Sequence, residues 1–280
     1  MPSRREFLQT VAAGFLAAES RKLLANPLGL PIGCQTYPVR KMIAKDFPGT
    51  LKILASAGFQ NVELCSPWGY AESGFAPVGK YSGPELKKLF SDMGLRCFSS
   101  HFGMEELRKN LPARIDWAKE VGLTQMFVPS LEGPKNPTMD DVKRVSDEFN
   151  KMGAQTAKAG IQLGLHNEDF ELTMVNGQRT YDVLMKTLDP KLVKFQFQVS
   201  TISDGYDAAE YFKKYPGRFI SMHVQGWDAK DKKIVAVGQG TLDWKKIFSA
   251  AKVGGVKNYF VEMDLPLMQA SVPYLKQLQA

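Results

Sequence analysis

The chain has 280 residues, 44% hydrophobic and 23% charged, with 36 Lys+Arg against 29 Asp+Glu and a formal charge of +7. That composition is ordinary for a folded domain and excludes a disordered tail, a collagen-like chain and a disulfide-stapled miniprotein. No run of about 18 or more apolar residues is present, so no transmembrane segment is expected, and the charge surplus is too mild to demand nucleic acid.

Residues 1–25 read as a leader rather than as part of the fold. Ser3-Arg4-Arg5-Glu6-Phe7-Leu8 precedes a short, weakly apolar stretch from Val11 to Ala18. Paired arginines followed by Phe-Leu resemble a twin-arginine export signal, which predicts a periplasmic protein. Ala25, before Asn26-Pro27, is the expected last residue removed, although Arg21 and Lys22 blur the cleavage point. Residues 26–280 are then one domain.

A first strand is expected over 32–36. After it, one unit recurs: an amphipathic helix, a glycine, a short apolar strand. Gly58 leads to Asn61-Val62-Glu63-Leu64, Gly94 to Arg96-Cys97-Phe98-Ser99, Gly122 to Gln125-Met126-Phe127-Val128, and Gly160 to Gln162-Leu163-Gly164-Leu165. Each glycine falls where a helix ends in a left-handed residue. Successive glycines are 36, 28 and 38 residues apart, the length of one strand-helix unit. Further strands are expected over 193–199, 219–224 and 257–262. Helices are expected over 47–57, 84–93, 104–121, 138–159, 180–188, 206–214, 243–252 and 268–278, with Asp243 capping the start of its helix. Cys34, Cys65 and Cys97 fall inside strands without metal-binding spacing and read as small buried hydrophobes.

Eight strands alternating with eight helices point to an α/β fold, a single-domain (β/α)8 TIM barrel. An open doubly wound sheet would usually carry a Gly-rich phosphate loop after the first strand, and Gln35-Thr36-Tyr37-Pro38 is not one. Reacting groups in such barrels sit where strands open into βα loops. Those ends supply Gln35, Glu63, His101, His166-Asn167-Glu168, Gln198, His223, Gln225, Glu262 and Asp264, and all three histidines of the chain are among them.

His166, His223 and Glu262 are expected to converge across the barrel mouth, with Gln198 adding a neutral oxygen. Two imidazoles and one carboxylate suit a divalent ion of the Mn²⁺, Zn²⁺, Co²⁺ or Mg²⁺ type. One formal negative charge would hold it less tightly than a carboxylate-rich site. Glu63, His101 and Gln225 suit the hydroxyls of a polyol, and Trp68 with Tyr70, in the Gly-rich loop 66–83, suits a stacking wall or a local packing cluster.

The stretches Gly164-Leu165-His166-Asn167-Glu168-Asp169-Phe170-Glu171, Met222-His223-Val224, Val237-Gly238-Gln239-Gly240-Thr241-Leu242-Asp243-Trp244 and Tyr259-Phe260-Val261-Glu262 resemble the xylose-isomerase-like sugar isomerase/epimerase superfamily, closest to the branch called sugar phosphate isomerase/epimerase. The resemblance covers nearly all of 30–280. It implies four strand-end metal ligands, Glu, Asp, His and Glu, at His166, Gln198, His223 and Glu262; the last two match and the first two depart. It also implies a pair of carboxylates that exchange protons with a carbon beside a carbonyl. Glu262 keeps one place in that pair, and Glu168, two residues past His166, is expected either as the second acid/base group or as a carboxylate that orients a ligand.

The expected function is metal-dependent isomerisation or epimerisation of an unphosphorylated sugar or keto-glycoside. Elimination of a glycosidic oxygen (a keto-glycoside lyase or deglycosidase) uses the same carbanion, and a non-catalytic sugar-binding barrel is the third reading. A small carbohydrate is the expected partner. Barrels of this kind often form dimers or tetramers, which leaves a homo-oligomer open. A DNA endonuclease on this barrel would need a three-zinc, His-rich site, which three histidines are too few to build.

Overall fold

Every strand-helix unit of the sequence is found, and the units close into a ring. The computed structural model describes residues 26–279, so the leader expected over 1–25 lies outside the described residues. The strands are β1 (Gly33–Gln35), β2 (Asn61–Cys65), β3 (Arg96–His101), β4 (Gln125–Val128), β5 (Gln162–Leu165), β6 (Val193–Gln198), β7 (Phe219–Val224) and β8 (Asn258–Val261). They form a closed barrel with β8 hydrogen-bonded to β1, and all neighbours run parallel. At the seam Gly33 faces Phe260, and a Cβ on Gly33 would lie 2.5 Å from the Tyr259 carbonyl oxygen. Only glycine fits that closure.

Surrounding helices are α1 (Arg40–Lys45), α2 (Phe47–Ser56), α3 (Gly83–Asp92), α4 (Met104–Val121), α5 (Met139–Lys158), α6 (Thr180–Thr187), α7 (Ala208–Lys214), α8 (Trp244–Gly254) and α9 (Leu265–Gln277). Local chemistry sets their starts. Ser82 with Glu85, and Thr138 with Asp141, form reciprocal capping boxes, while Asp207 and Asp243 accept backbone N–H groups of the first turns. Each such cap contributes about 1 kcal/mol. The last helix starts three residues before the expected 268, because Pro266 sits in its first turn, where the missing N–H costs nothing.

Alternation within the strands separates two environments. Val62 and Leu64, Phe195 and Phe197, and Met222 and Val224 are fully buried apolar residues of the core between barrel and helices. Burying each is worth roughly 1.5–3 kcal/mol. The intervening Asn61, Glu63, Gln196, Gln198, Ser221 and His223 are buried polar residues. They bond across the ring: Asn258 of β8 donates to Gln125 of β4 at 3.1 Å, and Gln196 of β6 to Glu63 of β2 at 2.9 Å. The barrel interior therefore holds polar residues bonded across the ring, with the Phe127 and Phe260 rings packed among them. Cys34 and Cys65 are buried and Cys97 is half-buried, all as free thiols.

Helix α1 (Arg40–Lys45), two hairpins and the winding of one loop are absent from the elements expected above. Short hairpins occupy the loops after β5 (Met174–Val175 with Gln178–Arg179) and β7 (Gly226–Asp228 with Lys233–Val235). Loop 66–83 is wound into helical turns, Ala71–Phe75 and Ala76–Lys80, rather than left open. No helix of the described residues is long and apolar enough to cross a membrane.

Candidate active site

The site is a stack of polar layers that becomes steadily more exposed toward the mouth. Its floor is Glu63, with no solvent exposure. Oε1 of Glu63 accepts from Ser99 Oγ at 2.6 Å and from Gln196 Nε2 at 2.9 Å. Oε2 accepts from Gln35 Nε2 at 2.8 Å and pairs with His223 Nε2, while His101 Nε2 lies 3.3 Å away. Burial works against ionisation here, but the charges and hydrogen bonds of His101 and His223 outweigh it and hold the carboxyl well below its usual range.

Above the floor lie three imidazoles. The rings of His101 and His223 stack at 5.2 Å, and His166 sits 4.5 Å from His223 and 5.4 Å from His101. One ligand nitrogen from each ring lies within 4.8 Å of the others. His166 is fully buried with no partner on either ring nitrogen. Burial, then the neighbouring His223 and His101, hold it well below the usual histidine range, so it is a neutral imidazole. His223 is opposed by burial, yet Glu262 and Glu63 on either side push it up to about 10.

The next layer carries the acids. Glu262, directly after β8, accepts from Gln198 Nε2 at 2.6 Å and lies 3.0 Å from His223 Nδ1. Burial opposes its ionisation, and His223 overcomes this, so the carboxyl is held below its usual range. Glu168 follows β5, its Oε1 3.6 Å from His166 Nε2. Burial and the Glu262 charge push its carboxyl up. Beyond these residues opens a cavity of about 350 Å³ lined by Asn167, Glu168, Gln198, Thr201, Gln225 and Trp227 among others.

Loop geometry places Glu168. Asn167 Oδ1 accepts the Gln198 backbone N–H at 2.7 Å, and Ser130 Oγ accepts that of Phe170 at 3.3 Å. Glu171, fully buried, accepts the Leu131 N–H at 2.9 Å. The loop after β5 is thus pinned to the loops after β4 and β6.

A divalent ion fits this donor set. Both His166 ring nitrogens, one of them an acceptor in the neutral ring, and the acceptor Gln198 Oε1 have no partner in the protein. Such orphans cost free energy unless a ligand satisfies them, and a neutral imidazole is the form that ligates a metal.

The sequence pattern of the xylose isomerase-like TIM barrel family matches residues 51–277. The chain belongs to this family. It is 24% identical over 243 residues to the inosose dehydratase of Clostridium perfringens, covering 78% of this chain and 75% of that protein. It superposes with a TM-score of 0.74 on a sugar phosphate isomerase/epimerase from Parabacteroides distasonis, at 28% identity over 88% of this chain and 94% of the other. It also matches the IOLI protein with a bound zinc atom, with a TM-score of 0.64 and 13% identity over 89% and 94% of the two chains, a likeness of fold.

Within this xylose isomerase-like barrel, His166, His223 and Glu262 come together at the mouth, and Gln198 lies beside Glu262 with its amide nitrogen turned to the carboxylate. Two residues expected to bind hydroxyls do otherwise. Glu63 is sealed beneath the imidazoles by its own partners, and His101 joins the imidazole cluster with Nε2 bonded to Gln196 Oε1 at 2.7 Å. Trp68 has Arg114 over one face at 3.7 Å and Trp117 at its edge at 5.4 Å, and it remains 44% exposed. Its Tyr70 neighbour packs on Tyr37 and Phe75. Gln225 lines the cavity. The sequence reading missed Ser99, Gln196 and Ser221, each two residues before a site residue it named. The period-two alternation that marks His101, Gln198 and His223 as inward also marks these, one layer deeper.

Proposed function

We propose that the chain is a metal-dependent sugar isomerase/epimerase that moves a proton on the carbon next to a carbonyl. The observation that carries this is the contrast between two carboxyl groups at one mouth. Glu262, against His223 at 3.0 Å and Gln198 at 2.6 Å, is held below the usual carboxylate range, while the half-exposed Glu168, 3.6 Å from His166, is pushed above it. Titratable neighbours pushed in opposite directions are the pattern of an acid/base pair. In this reading Glu262 removes the proton and Glu168 supplies one. His166, His223, Glu262 and the Gln198 Oε1 hold a divalent ion, with His101 beside them. When bound, such an ion supplies Lewis-acid polarisation of a carbonyl and its neighbouring hydroxyl. Asn167 and Thr201 hold the Gln198 backbone and orient the substrate side of the mouth.

The lining supports an unphosphorylated substrate. It includes Glu168, Asp169 and Asp204 and, among the described residues, no Lys or Arg to receive a phosphate. A volume near 350 Å³ lies at the low end of small-molecule sites, roughly 300–1,000 Å³, and suits a single sugar with a modest substituent. The paired arginines of the leader support action outside the cytoplasm. A second reading, elimination from a keto-glycoside or keto-polyol, is favoured by the likeness to an inosose dehydratase. There Glu168 protonates the departing oxygen.

Incubation of the metal-supplemented protein with a panel of sugars and 3-keto-glycosides in D₂O tests both. Deuterium at one carbon beside the carbonyl, abolished by Glu262→Gln in a variant with unchanged circular dichroism, is the expected result. Release of the substituent, with the hydrogen of that carbon lost to solvent and not replaced by deuterium in the product, selects elimination. Sugar binding with no exchange on any substrate, or full activity of Glu262→Gln, overturns the proposal.

A further inference from the structure

We propose that Glu63 is a positioning residue that fixes which nitrogen of His223 faces the metal site, acting directly on His223 and, through Gln196, on His101. The inference rests on the metal reading above and goes one layer beneath it. It follows from the direction of each hydrogen bond. Each Glu63 oxygen accepts from an amide nitrogen, Oε1 from Gln196 Nε2 and Oε2 from Gln35 Nε2. The closest partners of Glu63 are Ser99 and Gln196 on Oε1 and Gln35 and His223 on Oε2, with His101 Nε2 farther from Oε2 at 3.3 Å. His223 thus presents a hydrogen on Nε2 to Glu63, and Nδ1, 3.0 Å from the Glu262 carboxylate, is the nitrogen that would give up its hydrogen to bind a metal.

The same logic fixes the Gln196 amide. Its Nε2 donates to Glu63 and to Ser221 Oγ at 3.0 Å, so its Oε1 is the acceptor for His101, whose Nε2 must carry the hydrogen at 2.7 Å. One buried carboxylate thus sets two of the three rings in the cluster. A carboxylate behind a histidine that ligates a metal commonly fixes its tautomer and ring orientation. Here that carboxylate stands on β2, across the barrel from β7, so the ring is braced from the opposite wall.

Glutamine at position 63 has nearly the same shape but cannot do this. An amide accepts on one side and donates on the other, whereas both oxygens of Glu63 face donors. Whichever way the amide turns, one pair of bonds is lost and either His223 or Gln196 must reorient.

The test uses full-length protein. Glu63→Gln is compared with wild type for Mn²⁺ and Zn²⁺ affinity by equilibrium dialysis, with circular dichroism as the check on folding. Affinity about 10–100-fold weaker in the variant is expected. Because the chain has three histidines, ¹⁵N-histidine NMR of the zinc-loaded wild type resolves every ring. A protonated Nε2 and a metal-bound Nδ1 are expected for His223. Unchanged affinity in a folded Glu63→Gln variant, or zinc on Nε2 of His223, overturns this proposal and leaves the metal reading standing. Wild-type protein that binds neither ion overturns both. Should the variant fail to fold, the wild-type spectrum decides.

Discussion

Replacing Glu171 by glutamine should reverse the sign of its effect on stability between acid and alkaline pH. Glu171 has no solvent exposure; one oxygen accepts the Leu131 N–H at 2.9 Å and the other has no partner. Burial pushes its carboxyl up to about 8. A carboxyl raised on folding binds more protons in the native state than in the unfolded one. Its contribution is then fully present below the unfolded value, near 4.3, and is lost as pH rises through the folded value. Stability falls by about 1.4 kcal/mol per pH unit across that window, on the order of 5 kcal/mol in all. Glutamine removes this slope. Its carbonyl keeps the Leu131 bond, while its amide lies where the orphaned oxygen was, at a cost of about 1–3 kcal/mol. The variant should therefore be equal to or less stable than wild type near pH 5 and about 2–4 kcal/mol more stable near pH 9, by the same balance. Urea denaturation of both proteins from pH 5 to pH 9 measures the difference, in which titrating groups not coupled to Glu171 cancel. A difference that does not change with pH would refute the reasoning.

Glu168→Gln should slow turnover by roughly 10²–10⁴-fold, the usual loss for a general acid, without a comparable change in metal affinity. Parallel loss of metal binding would make Glu168 a ligand instead. Gly133→Ala should destabilise by about 1–3 kcal/mol through overpacking. The added Cβ would meet the buried Phe170 ring at 2.1 Å, and the shift it forces would also displace the loop bearing Glu168. Wild-type stability and turnover in that alanine variant would show that the Gly133–Phe170 contact does not position the loop.

How much of this was written along the chain differs from element to element. The barrel was legible because its signals are local. The glycines that follow α2, α3, α4, α5 and α8, Asp243 at a helix start and alternating Phe and Gln in β6 follow from backbone sterics, capping and the two-residue period of a strand. The same period names which strand-end residues face inward, which is why His166, His223 and Glu262 could be picked from the sequence. What it leaves open is depth along the barrel axis and the identity of the neighbour across the ring. Depth turned Glu63 from a hydroxyl binder into the sealed floor of the site, and it moved His101 into the imidazole cluster. Neighbours across the ring, such as Glu63 with Gln196 and His223, are 133 and 160 residues apart in the chain. Closing the barrel sets those distances, and with them the field that keeps Glu262 charged while Glu168 is pushed toward neutrality. Local sequence chose the side chains; the chemistry they can share was decided only when the ring closed.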